Sequence, residues 1–313
     1  MKKVLFATTA LVLSAGVAAA EVSLSGDGRM GVTYNGADWN FSSRARVVFT
    51  LSGQTDGGLE FGGSFRADEA GDSIAKNGAA YGMEGTVYIS GAFGKIEMGD
   101  VVSAPEALFG DLPEIGYTDL ATSGAGFDND IPYLTLDNSE QSNLLYTYTA
   151  GAFSVAASMA DGFVDQTSVA KDQGFAVAGA YTFGNYTVGL GYEDLELAAG
   201  GKETQVELAG VATFGNTSLK AYYAVGDDLN DVDNAYGLGV SSVFGATTVM
   251  GYVQKADPVA TANLGGGVGE SVTWYGLGAS YDLGGGASIT GGIADDDTPN
   301  SDPVADLGVK FKF

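Results

Sequence analysis

The 313-residue chain has no cysteine and no histidine. Without cysteine there is no disulfide framework, so stability has to come from extensive hydrogen bonding in a closed structure. Without histidine, one copy of the chain cannot build a Ser-His-Asp triad, a Cys-His dyad, a histidine zinc site or an imidazole base. Basic residues are scarce, with 14 Lys and Arg against 39 Asp and Glu and a net charge of −25. That balance excludes nucleic acid as a partner, because phosphates require a basic surface. Long apolar runs are missing too: after Ala20 no stretch approaches the ~18 residues of a membrane-spanning helix. Carboxylates are numerous enough for a two-carboxylate hydrolase, yet no spacing among them singles out a pair.

What is present begins with an export signal. Lys2 and Lys3 form a basic head, Val4 to Val17 an apolar stretch and Ala18-Ala19-Ala20 a small-residue cleavage site. Residues 1–20 therefore read as a secretory signal peptide, with the mature chain expected to start at Glu21. Removing the two lysines leaves 12 basic residues and takes the net charge from −25 to −27.

The last ten residues alternate strictly. Ala305, Leu307, Val309, Phe311 and Phe313 share one face, and Asp306, Gly308, Lys310 and Lys312 share the other. Strand side chains point to opposite faces in turn, so this is a strand with one greasy and one charged side. The first strand splits the same way, with Val22, Leu24, Met30, Val32 and Tyr34 opposite Ser23, Ser25, Asp27, Arg29 and Thr33. Turn phrases punctuate the rest: Phe93-Gly94, Phe183-Gly184-Asn185, Phe214-Gly215-Asn216, Phe244-Gly245 and Gly284-Gly285-Gly286. Glycine and Asn accept the positive φ of tight hairpins, and an aromatic just before each turn suits an interfacial girdle.

Counting alternating segments gives strands at 22–35, 43–54, 58–68, 84–91, 95–101, 142–150, 152–160, 173–183, 186–194, 203–214, 217–225, 234–244, 247–255, 270–283, 286–294 and 304–313. An even number of strands, with short turns alternating with longer connections and a strand at each end, predicts an up-and-down antiparallel barrel closed on itself. A secreted β-sandwich also alternates, but it has no use for aromatic strand ends or a terminal Phe. The fold class is thus all-β, a sixteen-stranded antiparallel transmembrane β-barrel.

One segment breaks the pattern. Residues 102–141 do not alternate, and a stretch of this length is rarely an idle connection. It carries Glu106, Asp111, Glu114, Asp119, Asp128, Asp130 and Asp137 and no Lys or Arg. Its apolar residues Leu108, Phe109, Leu112, Ile115, Tyr117, Ile131, Tyr133 and Leu134 favour packing against a wall, on the rim or inside the lumen. Meanwhile Arg29, Arg44, Arg46 and Arg66 fall in the first three strands at lumen-facing positions. An acidic loop across from them would set up a transverse field. The plainer alternative is that these arginines pair with Asp27, Glu60 or Asp68 on their own wall.

The mature start Glu21-Val22-Ser23-Leu24-Ser25-Gly26-Asp27-Gly28-Arg29, together with Asp38-Trp39-Asn40-Phe41, Gly94-Lys95-Ile96-Glu97-Met98-Gly99-Asp100, Ala107-Leu108-Phe109-Gly110-Asp111-Leu112, Asn129-Asp130-Ile131-Pro132-Tyr133-Leu134 and the terminal Asp306 to Phe313, resembles the general porins of photosynthetic alphaproteobacteria. The resemblance implies a homotrimer in the outer membrane, surrounded by lipid and lipopolysaccharide, that passes small hydrophilic solutes passively and has the long loop folded inside as a constriction. It implies a basic wall of Arg29, Arg44, Arg46 and Arg66 and an acidic loop of Asp111, Glu114, Asp119, Asp128 and Asp130. It implies no required cofactor. Calcium is the optional ion, with Glu106, Asn129 and Asp137 as oxygen ligands of the type calcium takes. Phe313 then doubles as the tag read by the outer-membrane assembly machinery. A plugged structural or adhesive barrel is the alternative function.

Overall fold

The computed structural model describes residues 20–70, 85–120, 129–134, 143–163, 170–229, 232–260, 262–299 and 301–313. The expected signal peptide up to residue 19, Asp128 and Asp137 lie outside the described residues. The chain opens with β1 (Glu21–Tyr34), β2 (Trp39–Gln54), β3 (Glu60–Ala70), β4 (Gly85–Gly91) and β5 (Gly94–Gly99), followed by a short helix α1 (Ala104–Phe109). Next come β6 (Asn143–Ala150), β7 (Phe153–Phe163), β8 (Ala170–Phe183), β9 (Tyr186–Glu196) and β10 (Lys202–Phe214). The remainder is β11 (Thr217–Leu229), β12 (Val232–Phe244), β13 (Thr247–Pro258), β14 (Val272–Gly284), β15 (Ala287–Asp296) and β16 (Val304–Lys312).

Each strand pairs antiparallel with its sequence neighbours, and β16 returns to β1, so the sheet is a closed sixteen-stranded barrel. The closing register runs from Asp27↔Lys312 to Tyr34↔Ala305. Phe313 N–H donates to the Gly26 carbonyl at 2.8 Å and seals the seam at the terminal residue. Closure leaves no free edge, which a lipid-embedded sheet cannot tolerate.

Gly184, Gly215 and Gly245 have φ of 60°, 60° and 63° and open two-residue turns. Positive φ at the first turn residue alone is the type II′ pattern, which matches strand twist. At the fourth hairpin the turn is Ala92-Phe93, and Gly94 begins β5 with φ 105°, one residue off the expected phrase. Several strands outrun their expected limits at the opposite end: β2 starts at Trp39, β3 reaches Ala70, β8 starts at Ala170 and β11 reaches Leu229.

The outward face is an apolar belt that includes Leu190, Leu208, Leu238 and Leu277, all solvent-accessible in the isolated chain. Near the short turns aromatic rings run side by side, Phe153 4.5 Å from Tyr181 and Phe183 5.5 Å from Tyr186. They supply the amphipathic ring that a barrel places at the membrane interface.

Burial is concentrated instead where the segment after β5 crosses the lumen. Ser103 caps α1 by accepting from Glu106 N–H at 3.3 Å, Pro105 sits in the first turn, and Gly110 ends the helix at φ 56°. Phe109 at its end and Leu112, Ile115 and Tyr117 beyond it are all buried. They rest on inward-facing glycines. Phe109 covers Gly189 of β9 and Pro113 covers Gly239 of β12, each where a Cβ would collide. A Cβ on Gly292 of β15 would lie 2.5 Å from Ile115, and one on Gly31 of β1 or Gly308 of β16 would lie 2.9 Å from the Tyr117 ring. Each large apolar side chain fully buried this way contributes roughly 1.5–3 kcal/mol. The missing side chains form a lane in which the loop lies close to the wall.

The two faces of one strand should answer oppositely to charge. Leu277→Arg, on the lipid face of β14, is expected to destabilise the barrel by about 2–4 kcal/mol in lipid-vesicle unfolding titrations, whereas Ser280→Arg on the lumen face should cost far less.

Candidate pore constriction

Polar side chains of the wall hold the loop backbone on both limbs. Lys220 of β11 donates to the Phe109 and Asp111 carbonyls, both at 2.5 Å, which puts a cation at the C-terminal end of α1. Gln254 of β13 donates to the Asp130 carbonyl at 3.0 Å, and Gln205 of β10 to the Pro132 carbonyl at 2.8 Å. Glu193 of β9 accepts from Leu134 N–H. The limbs also bind one another, through Leu112 N–H to the Asn129 carbonyl at 3.1 Å and Ile131 N–H to the Asp111 carboxylate at 3.0 Å. Gln205, Gln254 and Glu193 are completely buried, since the loop they hold covers them. A buried polar group stays satisfied only by such pairing.

The turn at residues 116–119 is held from two sides. One carboxylate oxygen of Asp306 accepts Tyr117 N–H and Thr118 N–H, both at 2.8 Å, and the Thr118 hydroxyl at 2.6 Å. The Arg29 guanidinium donates to the Tyr117 and Thr118 carbonyls at 3.3 and 3.2 Å and lies 6.0 Å from the Tyr117 ring centroid. Arg29 is therefore spent largely on the loop backbone.

Beside this turn a cavity of about 850 Å³ remains open in the lumen. Arg29, Arg44, Lys310 and Lys312 border it on the strand wall, and Asp111 and Glu114 border it from the loop. The closing register explains the basic side. Arg29 lies opposite both Arg44 and Lys310, and Asp27 opposite both Arg46 and Lys312. Asp27 is threaded into this strip, 2.9 Å from Arg44 and 4.0 Å from Arg46, so wall pairing and a basic face coexist. Arg66 lies one strand further on, opposite Val48 in the sheet, and does not border the cavity. Glu60 accepts from the Ser90 hydroxyl at 3.4 Å, and the Asp68 side chain lies outside the described residues.

Alternation had put Lys310 and Lys312 on the polar face of the last strand, but only closure puts them beside Arg29. Lys220, Asp306, Gln205 and Gln254 were also missed. Their inward parity was readable, but their loop partners are distant in sequence. Among the calcium candidates, Glu106 lies on α1 and Asn129 is buried with its carbonyl taken by Leu112. Among the described residues no group of three or more carboxylates gathers, and Asp137 lies outside them.

The loop acids are not equivalent. Burial pushes the Asp111 carboxyl up, opposed by its bond from Ile131 N–H and by Lys220. Asp119 is exposed, yet the protein massed around it disfavours its charge, and Glu114 and Asp130 add repulsion, so its pKa is pushed up to about 7. Its backbone sits at φ 63°, and a bond from the Ile115 backbone partly offsets the rise. Between the ordinary carboxylate value of 3.8 and about 7 the folded protein keeps a proton that the unfolded chain has released. This contribution to stability is present at acid pH and shrinks as pH rises through that window.

A closed barrel with a greasy outer belt, an interfacial aromatic ring and an aqueous cavity bordered by charge is a transmembrane β-barrel pore. The profile of Gram-negative porins matches residues 7–301. The chain is 59% identical to a porin of Rhodobacter capsulatus over 94% of its length and all of that protein, and 26% identical to a porin of Fuscovulum blasticum over the same shares. A solved porin structure superposes with a TM-score of 0.81 at 57% identity, covering 94% of this chain and all of the other. Mutants of Rhodopseudomonas blastica porin superpose at 0.72 and 21% identity over 93% of this chain and all of theirs, which bears on the fold alone. The chain belongs to the Gram-negative porin family. Members of this family are channels of the outer membrane and not enzymes, and they need no cofactor in general.

Because Asp119 is neutral below about pH 7 and charged above it, cation preference in reversal-potential recordings should rise between about pH 6 and 8. Asp119→Asn should flatten that step. An unaltered step would assign the titration to another group.

Proposed function

We propose that this porin is a passive channel for small hydrophilic solutes and ions, narrowed by the infolded segment 102–141. Its selectivity is set between the loop acids Asp111, Glu114, Asp119 and Asp130 and a basic wall of Arg44 and Arg46 extended by Lys310 and Lys312, while Arg29 holds the loop backbone at the edge of that wall and Arg66 stands one strand beyond it. The observation that carries this reading is the lumen cavity bordered by Asp111 and Glu114 from the loop and by Arg29, Arg44, Lys310 and Lys312, with Asp27 and Asp282 among them, on the strand wall. Opposed charges across a narrow aqueous gap attract ions of both signs to opposite walls and align dipolar solutes.

A homotrimer is the fitting assembly. β4, β5 and β6 have only 7, 6 and 8 residues, short of the ~9–11 that a tilted strand needs to cross the hydrocarbon layer. Such a low wall, with Val87, Ile89 and Met98 pointing outward and accessible, is better shielded by another copy than by lipid. Export through a signal peptide cleaved before Glu21, and delivery of the Phe313-ended strand to the assembly machinery, complete the route.

Planar-bilayer recordings test the channel directly: purified protein should give stepwise conductance, and its absence would favour a plugged structural barrel. Neutralising Arg44 and Arg46 together, as Arg44→Gln with Arg46→Gln, should shift selectivity towards cations severalfold without loss of folded barrel. Unchanged selectivity would remove these two residues from the constriction. An unboiled sample should migrate on a gel as a trimer and a boiled one as a monomer.

A further inference from the structure

We infer that Asp306 and Arg29 are the positioning residues that set the channel's solute size limit, acting on the backbone of Tyr117 and Thr118 rather than on solute. This rests on the channel reading above. The two residues face the lumen from the last and the first strand, and the seam between them spaces the clamp. Arg29 lies opposite Lys310, Gly31 opposite Gly308, and Thr33 opposite Asp306. Asp306 and Arg29 therefore stand at the two ends of a diagonal whose centre is the bare pair Gly31 and Gly308. The Tyr117 ring fills that bare centre.

The division of chemistry is complete for this peptide. Asp306 takes the two N–H groups and Arg29 the two carbonyls, so four backbone polar groups of residues 117 and 118 are held by two side chains of opposite charge. Within the turn itself Leu120 N–H donates to the Ile115 carbonyl at 2.8 Å and the Asp119 carboxyl is bonded to the Ile115 backbone. Gly116 has to lack a side chain, because a Cβ there would run into the Asp306 carboxylate. Asp306 is almost fully buried, so it is not available to passing ions. Charge-assisted bonds to backbone are among the stronger ones, and removing either jaw leaves buried groups unpaired. Since the turn carries Asp119 and follows Glu114, its seating fixes how far the acidic face projects towards Arg44 and Lys310.

The two jaws carry opposite charges, which separates a clamp from a field. Asp306→Ala, Arg29→Met and the double variant would be reconstituted in liposomes and assayed by swelling with sugars of increasing size. A clamp requires both single variants to admit larger sugars, with severalfold faster uptake near the wild-type limit, and the double variant to add little beyond the larger single effect, because both act on one peptide. Resistance of the barrel to SDS and heat should stay as in the wild type. Gly116→Val, which leaves every strand unaltered but drives a side chain into the Asp306 carboxylate, should raise the limit in the same way and covers the case of a seam variant that fails to fold. The inference is overturned if the wild type conducts and these variants keep its size limit. It is equally overturned if the two single variants only shift ion selectivity in opposite senses and the double returns to wild type. A wild type that admits no sugar would overturn the channel reading itself, and this inference with it.

Discussion

Everything in this molecule depends on the pairing of its first strand with its last. A sheet in hydrocarbon has no water to satisfy an open edge, so the backbone groups of β1 and β16 have to find each other across the whole chain. That pairing fixes a register, from Asp27↔Lys312 to Tyr34↔Ala305, and the register does more than close the wall. It brings Lys310 and Lys312 beside Arg29, Arg44 and Arg46, which creates a basic strip wider than any single strand could carry. It also spaces Asp306 and Arg29 on either side of the bare Gly31 and Gly308 pair. Closure and constriction are two consequences of one alignment.

The loop in turn exploits what the wall lacks. A lumen lined with full-sized side chains would hold Phe109, Pro113, Ile115 and Tyr117 away from the sheet, and their apolar surface would stay wet. Inward glycines at 189, 239, 292, 308 and 31 let them lie flat. Between these contacts Lys220, Gln205, Gln254 and Glu193 bind loop backbone. The apolar contacts supply most of the favourable burial, and the polar hooks settle the register of the loop along the lane.

Much of the fold was legible because a membrane barrel writes its two environments in a period of two. Val22 to Tyr34 and Ala305 to Phe313 declared their faces at once. Legibility failed where the hydrocarbon ends. β2 begins four residues before its expected start, at Trp39, and β11 runs four beyond its expected end to Leu229, because hairpins remain paired in water where neither face needs to be greasy. The inward parity of Arg44 and Arg46 was likewise readable, whereas the wall they share with Lys310 was not. That neighbourhood is created by contacts almost the whole chain apart. Gly189 and Gly292 look the same in sequence as the turn glycines. Their use lies in the loop residue that comes to rest on them, which no local pattern records.

The central claim is that the segment after β5 lies inside the barrel against the wall, and the absence of native cysteine makes it directly measurable. Ile115→Cys places a single thiol on a loop side chain that is fully buried against the wall, with no native cysteine to compete. In the folded variant that thiol should resist a lumen-permeant maleimide, and it should react fully once the barrel is denatured. If the thiol of the folded barrel reacts with the maleimide as readily as one on an exposed loop, the segment does not lie on that wall and the account is wrong.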